Sequence, residues 1–277
     1  MTEIEFRRMA FEFPDDIPFQ SNPANIAVSD AINALSLTAP AFEPYFIKAF
    51  RDAVPLIRDE RLLSQTRLFI QQERQHTHHH IAHLNLLLRK FPELEETRDE
   101  INASYARLYE SKPLKFHLAY TATVELAFGP IARFIVQNRD CLFTGGDDRI
   151  SSFVLWHFVE EFEHRNCAID VYKAVVGSHV YRLLQLQPTL RHLRETSAMA
   201  QRAFRRLAEN GRIERTSESP LAGAPRANVR RLQRELLGTL LPWHRPDDLE
   251  EPAWVQQWIS DSRKGQPMAL AYRAPRQ

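Results

Sequence analysis

Glycine is scarce in this chain: eight in 277 residues, where about 7% is usual. Tight turns and hairpins consume glycine, so the shortage argues against many turns and for long helices. Cysteine is scarcer still, with Cys141 and Cys167 alone. Two thiols make no disulfide framework, so a reducing, cytoplasmic location is expected and both cysteines read as packing residues. The first residues, MTEIEFRRMAFEFPDD, lack the apolar core of a signal peptide, and no charge-free run is long enough to span a bilayer. Neither sign of charge dominates: Lys+Arg 36 against Asp+Glu 35 leaves a formal net charge of +1. No global field therefore recommends nucleic acid or a membrane as partner. A Gly-rich phosphate loop, a nucleophile elbow and a complete HExxH are also missing.

What is present is helical periodicity. Residues 1–25, rich in Pro, Asp and Phe, read as an extended lead-in wrapping the surface. Residues 26–215 alternate long segments of helical period with breaks at Pro40, Pro92, Pro113 and the turn signal Thr144-Gly145-Gly146-Asp147-Asp148. Residues 216–227 are a linker by composition. Residues 228–277 hold short helices that either pack back on the bundle or form a homodimer contact. The expected fold is all-α, a helical bundle with additional C-terminal helices.

Four segments carry residues that seek water inside apolar stripes. The first, about 42–54, puts Glu43 with Phe46 and Phe50; Pro44 disfavours helical geometry in the residue before it, which places Glu43 at the start of its helix. The second, about 62–88, aligns Phe69, Glu73, His76, His80 and His83. The third, about 116–136, aligns Leu118, Ala122, Glu125 and Phe128, with a kink expected at Pro130. The fourth, about 150–175, aligns Val154, His157, Glu161, His164 and Ala168.

Residues three apart on a helix are neighbours, so Glu73–His76 and Glu161–His164 each aim a carboxylate and an imidazole at one point. Glu43 and Glu125 add one carboxylate each. Four buried carboxylates need a common compensation, and two divalent cations supply it. Mixed carboxylate and imidazole donors suit iron, with manganese in reserve, better than a thiolate-rich zinc site. A single Glu-x-x-His on a helix ordinarily marks a solvated face or an ion pair. Two of them on separate helices, each preceded by a helix with a glutamate among apolar residues, make coincidence a poor account.

In chain order the set Glu, Glu-x-x-His, Glu, Glu-x-x-His resembles that of ferritin-like carboxylate-bridged dimetal proteins. With His157 one turn before Glu161, the spacing is also similar to that of the non-heme diiron arylamine N-oxygenases, which implies His157 as an additional ligand. The bland reading of His157 is a hydrogen-bond partner to a ligating carboxylate. The metal candidates are thus Glu43, Glu73, His76, Glu125, His157, Glu161 and His164, with Glu125 and one of the Glu-x-x-His glutamates as bridges. Glu160 competes with Glu161, and His80, Tyr120 and Tyr172 are candidates for the layer around the ligands.

The chain further resembles a bacterial family described as predicted metal-dependent hydrolases. The resemblance rests on Leu35-Ser-Leu-Thr, Phe69-Ile-Gln-Gln-Glu-Arg-Gln-His76, Thr123-Val-Glu125, the stretch from Trp156 to His164, and Asp170-Val-Tyr172. That description implies metal-assisted hydrolysis, while the ligands are those of a non-heme diiron (Fe2+/Fe3+) monooxygenase. Such an enzyme takes O2 as co-substrate, electrons from an external donor, and a small molecule such as an aromatic amine. Hydrolysis and non-enzymatic iron storage are the alternatives.

Overall fold

The computed structural model describes residues 4–275, and no β-strand occurs among them. Its helices are α1 (Ile26–Ala53), α2 (Glu60–Lys90), α3 (Leu94–Ser111), α4 (Leu114–Gln137), α5 (Arg139–Phe143), α6 (Asp148–His164), α7 (Cys167–Val175), α8 (His179–Leu184), α9 (Leu186–Glu209), α10 (Arg226–Gly238) and α11 (Ala253–Arg263). The all-α bundle expected from composition is what forms.

Side chains cap the starts of α1, α2 and α6. Asn25 Oδ1 accepts from the Val28 amide at 3.1 Å, and Asp59 Oδ1 accepts from the Leu62 amide at 2.7 Å. Asp147 Oδ1 does the same for Arg149 at 2.8 Å, each such cap contributing roughly 1 kcal/mol. Before it, Gly145 takes φ +75°, the left-handed turn conformation that a side chain resists. The frame that matters for function is α1 against α2, α4 against α6 and α7, and α1 against α4.

Four expectations change. Pro40 does not end a helix: α1 runs through both Pro40 and Pro44, so Glu43 sits in its interior rather than at its start. Each proline removes one backbone donor, and burial of the surrounding Ala39, Phe42, Tyr45 and Phe46 outweighs that loss. The fourth segment is not one helix. It stops at His164, and α7 begins at Cys167 after a turn at Arg165–Asn166. The lead-in does more than wrap the surface, since Ile4, Arg7, Phe13, Ile17 and Phe19 are all buried; residues 1–3 lie outside the described residues. Cys141 is exposed, while Cys167 does pack in the core.

The C-terminal helices pack back on the bundle. Leu232 of α10 and Val255 and Trp258 of α11 join the same buried cluster as Phe153 and Trp156 of α6. The first of these helices starts at Arg226, slightly before the expected residue 228.

Candidate metal centre

Helix α6 is buried on every side from Ile150 to His164. A helix with no wet face must satisfy each of its polar side chains internally. Glu160, Glu161, Glu163, His157 and His164 therefore each need a partner from another element.

Glu161 faces the middle of the bundle. It meets Glu73 and His76 of α2, Glu125 of α4 and Glu43 of α1, all at most 1% exposed. Their donor atoms converge in overlapping groups, each within 4.8 Å: Glu73, Glu125, Glu161 and His164; Glu43, Glu73 and His76; His76, His157 and Glu161. Glu43 also groups with His80 and His157. All seven residues singled out as metal candidates are thus brought together. Glu73 and Glu161 recur in groups containing His76 and in the group containing His164, whereas Glu125 appears only with His164 and Glu43 never does. The carboxylates common to both sides are the two from the Glu-x-x-His pairs, while Glu125 groups only on the His164 side.

Register sends Glu160 and Glu161 to opposite nitrogens of His76. Glu160 points behind His76, whose Nε2 donates to Glu160 Oε2 at 3.0 Å. The other nitrogen, His76 Nδ1, faces inward, 3.5 Å from both Glu73 Oε1 and Glu161 Oε1. His164 is arranged alike. Its Nε2 donates to Gln72 Oε1 at 2.7 Å, and its Nδ1 lies 3.1 Å from Glu73 Oε1 without hydrogen-bond alignment.

His157 Nε2 is 2.9 Å from Glu161 Oε1, and its ring stacks on His76 with centroids 4.4 Å apart. Its Nδ1 contacts His80 Nε2 at 2.7 Å. Beyond it, Ser36 Oγ lies 2.9 Å from His80 Nδ1 and 2.8 Å from His83 Nδ1. His80 is therefore the backing partner of His157 and also lies 3.7 Å from Glu43. Burial holds the pKa of His80 well below the ordinary value and brings that of His83 down to about 4, so both rings are neutral near pH 7. The two tyrosines do not join this layer. Tyr120 shares its hydroxyl with Tyr105 and His192, and Tyr172 donates to the Ser178 carbonyl.

The donors fit a cation pair on the structure's own terms. Both carboxylate oxygens of Glu43, Glu73 and Glu125, one oxygen of Glu161, and the inward nitrogens of His76 and His164 are buried without a hydrogen-bond partner. Burial, reinforced by Glu73 beside it, pushes the Glu43 carboxyl well above the usual carboxylate range; burial with Glu161 and Glu73 nearby does the same to Glu125. Burial also lowers the basicity of His164, but the adjacent Glu161 and Glu73 carboxylates outweigh it and raise its pKa to about 9. Divalent cations at this point would relieve all three misfits, which protons satisfy only in part.

Four surrounding residues escaped sequence reasoning: Arg7, Ser36, Gln72 and the role of Glu163. None lies at a metal-ligand spacing. The one available signal is that Gln72 directly precedes Glu73 and Glu163 directly precedes His164.

No helix among the described residues is long and apolar enough to cross a membrane. Residues 5–249 match a protein family whose description is predicted metal-dependent hydrolase. No curated protein and no solved structure matches the chain.

Proposed function

We propose that this chain, which belongs to the predicted metal-dependent hydrolase family, holds two metal ions among α1, α2, α4 and α6 for the oxygen-dependent oxidation of a small, largely apolar molecule. The observation that carries the metal pair is that Glu73 and Glu161, which fall together in the group with His164, each also fall in a group with His76. Glu125 completes the His164 side; Glu43 and His157 complete the His76 side. Four carboxylates balance the charge of two divalent ions, and oxygen-rich donors with a few imidazoles favour iron, then manganese.

When bound, a pair of ferrous ions supplies the electrons and the binding site for dioxygen, and an external donor restores them. The protein's own part is geometric. The carboxylates hold both ions, and His76 and His164 orient through Glu160 and Gln72. Phe69, Phe153 and Trp156, each fully buried, keep water away.

Two features support oxidation over hydrolysis. The donors lie in a closed, aromatic-walled interior, which suits reactive oxygen chemistry better than delivery of bulk water. An adjoining cavity of about 530 Å³ between α1, α4, α9 and α10 is lined by Leu35, Phe42, Val124, Phe128, Leu190 and Leu236 among others, with no charged side chain. None of the seven metal candidates lines it, but Phe42 and Val124 are the chain neighbours of Glu43 and Glu125. Such a volume takes a small apolar molecule rather than a phosphate or a charged peptide. By the spacing of His157, an aromatic amine is the first class to try.

A second reading is favoured by the family description: hydrolysis, with the metal pair activating water. One experiment separates the two. Protein loaded with Fe(II) without oxygen is exposed to O2, a reductant and a panel of aromatic amines, while zinc-loaded protein is offered activated esters and phosphate esters anaerobically. Oxygen uptake coupled to an oxidised amine supports oxidation; turnover of the esters without oxygen overturns it in favour of hydrolysis. Uptake of many irons per chain in an assembled cage would instead indicate storage.

A further inference from the structure

We infer that Arg7 is a positioning residue for both inward-facing histidines, an inference that rests on the metal-pair reading above. The Arg7 guanidinium grips Glu163 with two hydrogen bonds, Nη1 to Oε2 at 2.9 Å and Nη2 to Oε1 at 2.7 Å. Its Nη1 also lies 3.6 Å from Glu160 Oε1. From these two carboxylates, two arms run inward.

The first arm is short: Glu160 Oε2 accepts from His76 Nε2 at 3.0 Å. The second passes through an amide. Gln72 Nε2 donates to Glu163 Oε2 at 3.0 Å and to the Glu5 carbonyl at 2.9 Å. With its nitrogen so committed, Gln72 has only Oε1 left for His164, which is 2.7 Å away. Both arms end in an acceptor facing a histidine Nε2. Each ring keeps a proton on Nε2, so Nδ1, facing Glu73 and Glu161, is the nitrogen left to give up its proton to a cation.

Arg7 itself is held from outside. Its side chain is 6% exposed and lies against the Trp258 ring at 5.7 Å, and Glu5 links it to Arg263. Three glutamines of α2 pin the surrounding backbone: Gln65 accepts from the Ile4 amide, Gln72 donates to the Glu5 carbonyl, and Gln75 accepts from the Met9 amide while donating to the Arg7 carbonyl. A planar fork is needed to reach both oxygens of Glu163 and the edge of Glu160 at once; a lysine ammonium offers no such geometry.

Cobalt(II) titration of the metal-free full-length chain, followed by calorimetry and visible absorption, tests this, with thermal unfolding as the check of folding. The unmodified chain takes two equivalents; failure to do so overturns the metal-pair reading and this inference with it. Given two equivalents, Arg7→Gln weakens both by about 10–100-fold, and Arg7→Lys recovers part of the loss. Gln72→Leu breaks one arm and weakens one equivalent only. Gln75→Ala loosens the backbone around Arg7 but spares its fork, and weakens both affinities less than Arg7→Gln does. Native affinities in Arg7→Gln overturn the inference while leaving the metal pair standing. An equal loss in Gln75→Ala also overturns it, because the segment's anchoring and not the guanidinium would then be the cause.

Discussion

His76 turns its two nitrogens to two adjacent glutamates of one helix: Nε2 meets Glu160 at 3.0 Å and Nδ1 faces Glu161 at 3.5 Å. On the proposed metal pair, the helix register makes one carboxylate a donor and its neighbour an orienting group. Glu161→Gln should therefore abolish the second equivalent of bound metal and weaken the first, since Glu161 serves both. Glu160→Gln should keep two equivalents with affinity lowered by about 10–100-fold on one of them. Metal analysis after dialysis against buffers of stepped free metal reads the difference, and equal behaviour of the two variants would refute the assignment.

The file His83–Ser36–His80–His157–Glu161 has a direction. By protein groups alone, the proton on His157 Nε2 faces Glu161, so Nδ1 accepts from His80; His80 then accepts from Ser36, and Ser36 from His83 Nδ1. A cation on His157 Nε2 displaces that proton to Nδ1 and reverses every link outward. Zinc loading should then move the His83 proton from Nδ1 to Nε2, visible in the ¹⁵N shifts of labelled histidine. An unchanged His83 tautomer in zinc-saturated protein would make His157 a hydrogen-bond partner and not a ligand.

Acid should destabilise the fold through His83. Its pKa is lowered from 6.5 to about 4 in the folded chain by burial. The folded state thus binds this proton less readily than the unfolded one. The contribution to stability is complete above pH 6.5 and is lost as pH falls toward 4, by roughly 3 kcal/mol in all. In denaturant titrations, His83→Gln should lose less stability than the unmodified chain over that window. Parallel curves for the two proteins would count against a buried neutral His83.

Trp258 tests whether the C-terminal helices are integral to the bundle. It is 3% exposed in the cluster with α6, so Trp258→Ala should cost about 3–5 kcal/mol. A change below 1 kcal/mol in chemical unfolding would show that α11 is a loosely attached appendage.

Much of the centre was legible because α1 and α2 each keep some exposed positions, so that a glutamate within the apolar stripe stands out against the period, and because Glu125 is the one carboxylate of the largely apolar α4. Glu43, Glu73 and His76 are of the first kind. Helix α6 offers no such contrast: with Ile150–His164 wholly buried, periodicity cannot separate Glu160 from Glu161, and only packing fixes the register. Pro40 was misleading for a related reason, because local backbone preference yields to burial in a long packed helix. The helix end after His164 had only the polar pair Arg165-Asn166 as a signal. Arg7 had none, since a segment without period gives no hint of which distant carboxylate it meets.

The separation of Arg7 from Glu163 also orders events during synthesis. These partners are 156 residues apart in the chain, so Arg7 has no Glu163 to grip until α6 has been made, although α2 can hold the lead-in backbone before then. The helices of the bundle are built from nearer contacts and can associate beforehand. Glu160 and Glu163 then remain hydrated until Arg7 returns to cover them. Closing that long loop would turn an assembled bundle into a sealed centre, and on the proposed metal pair it would leave incoming metal a way in until the door is shut.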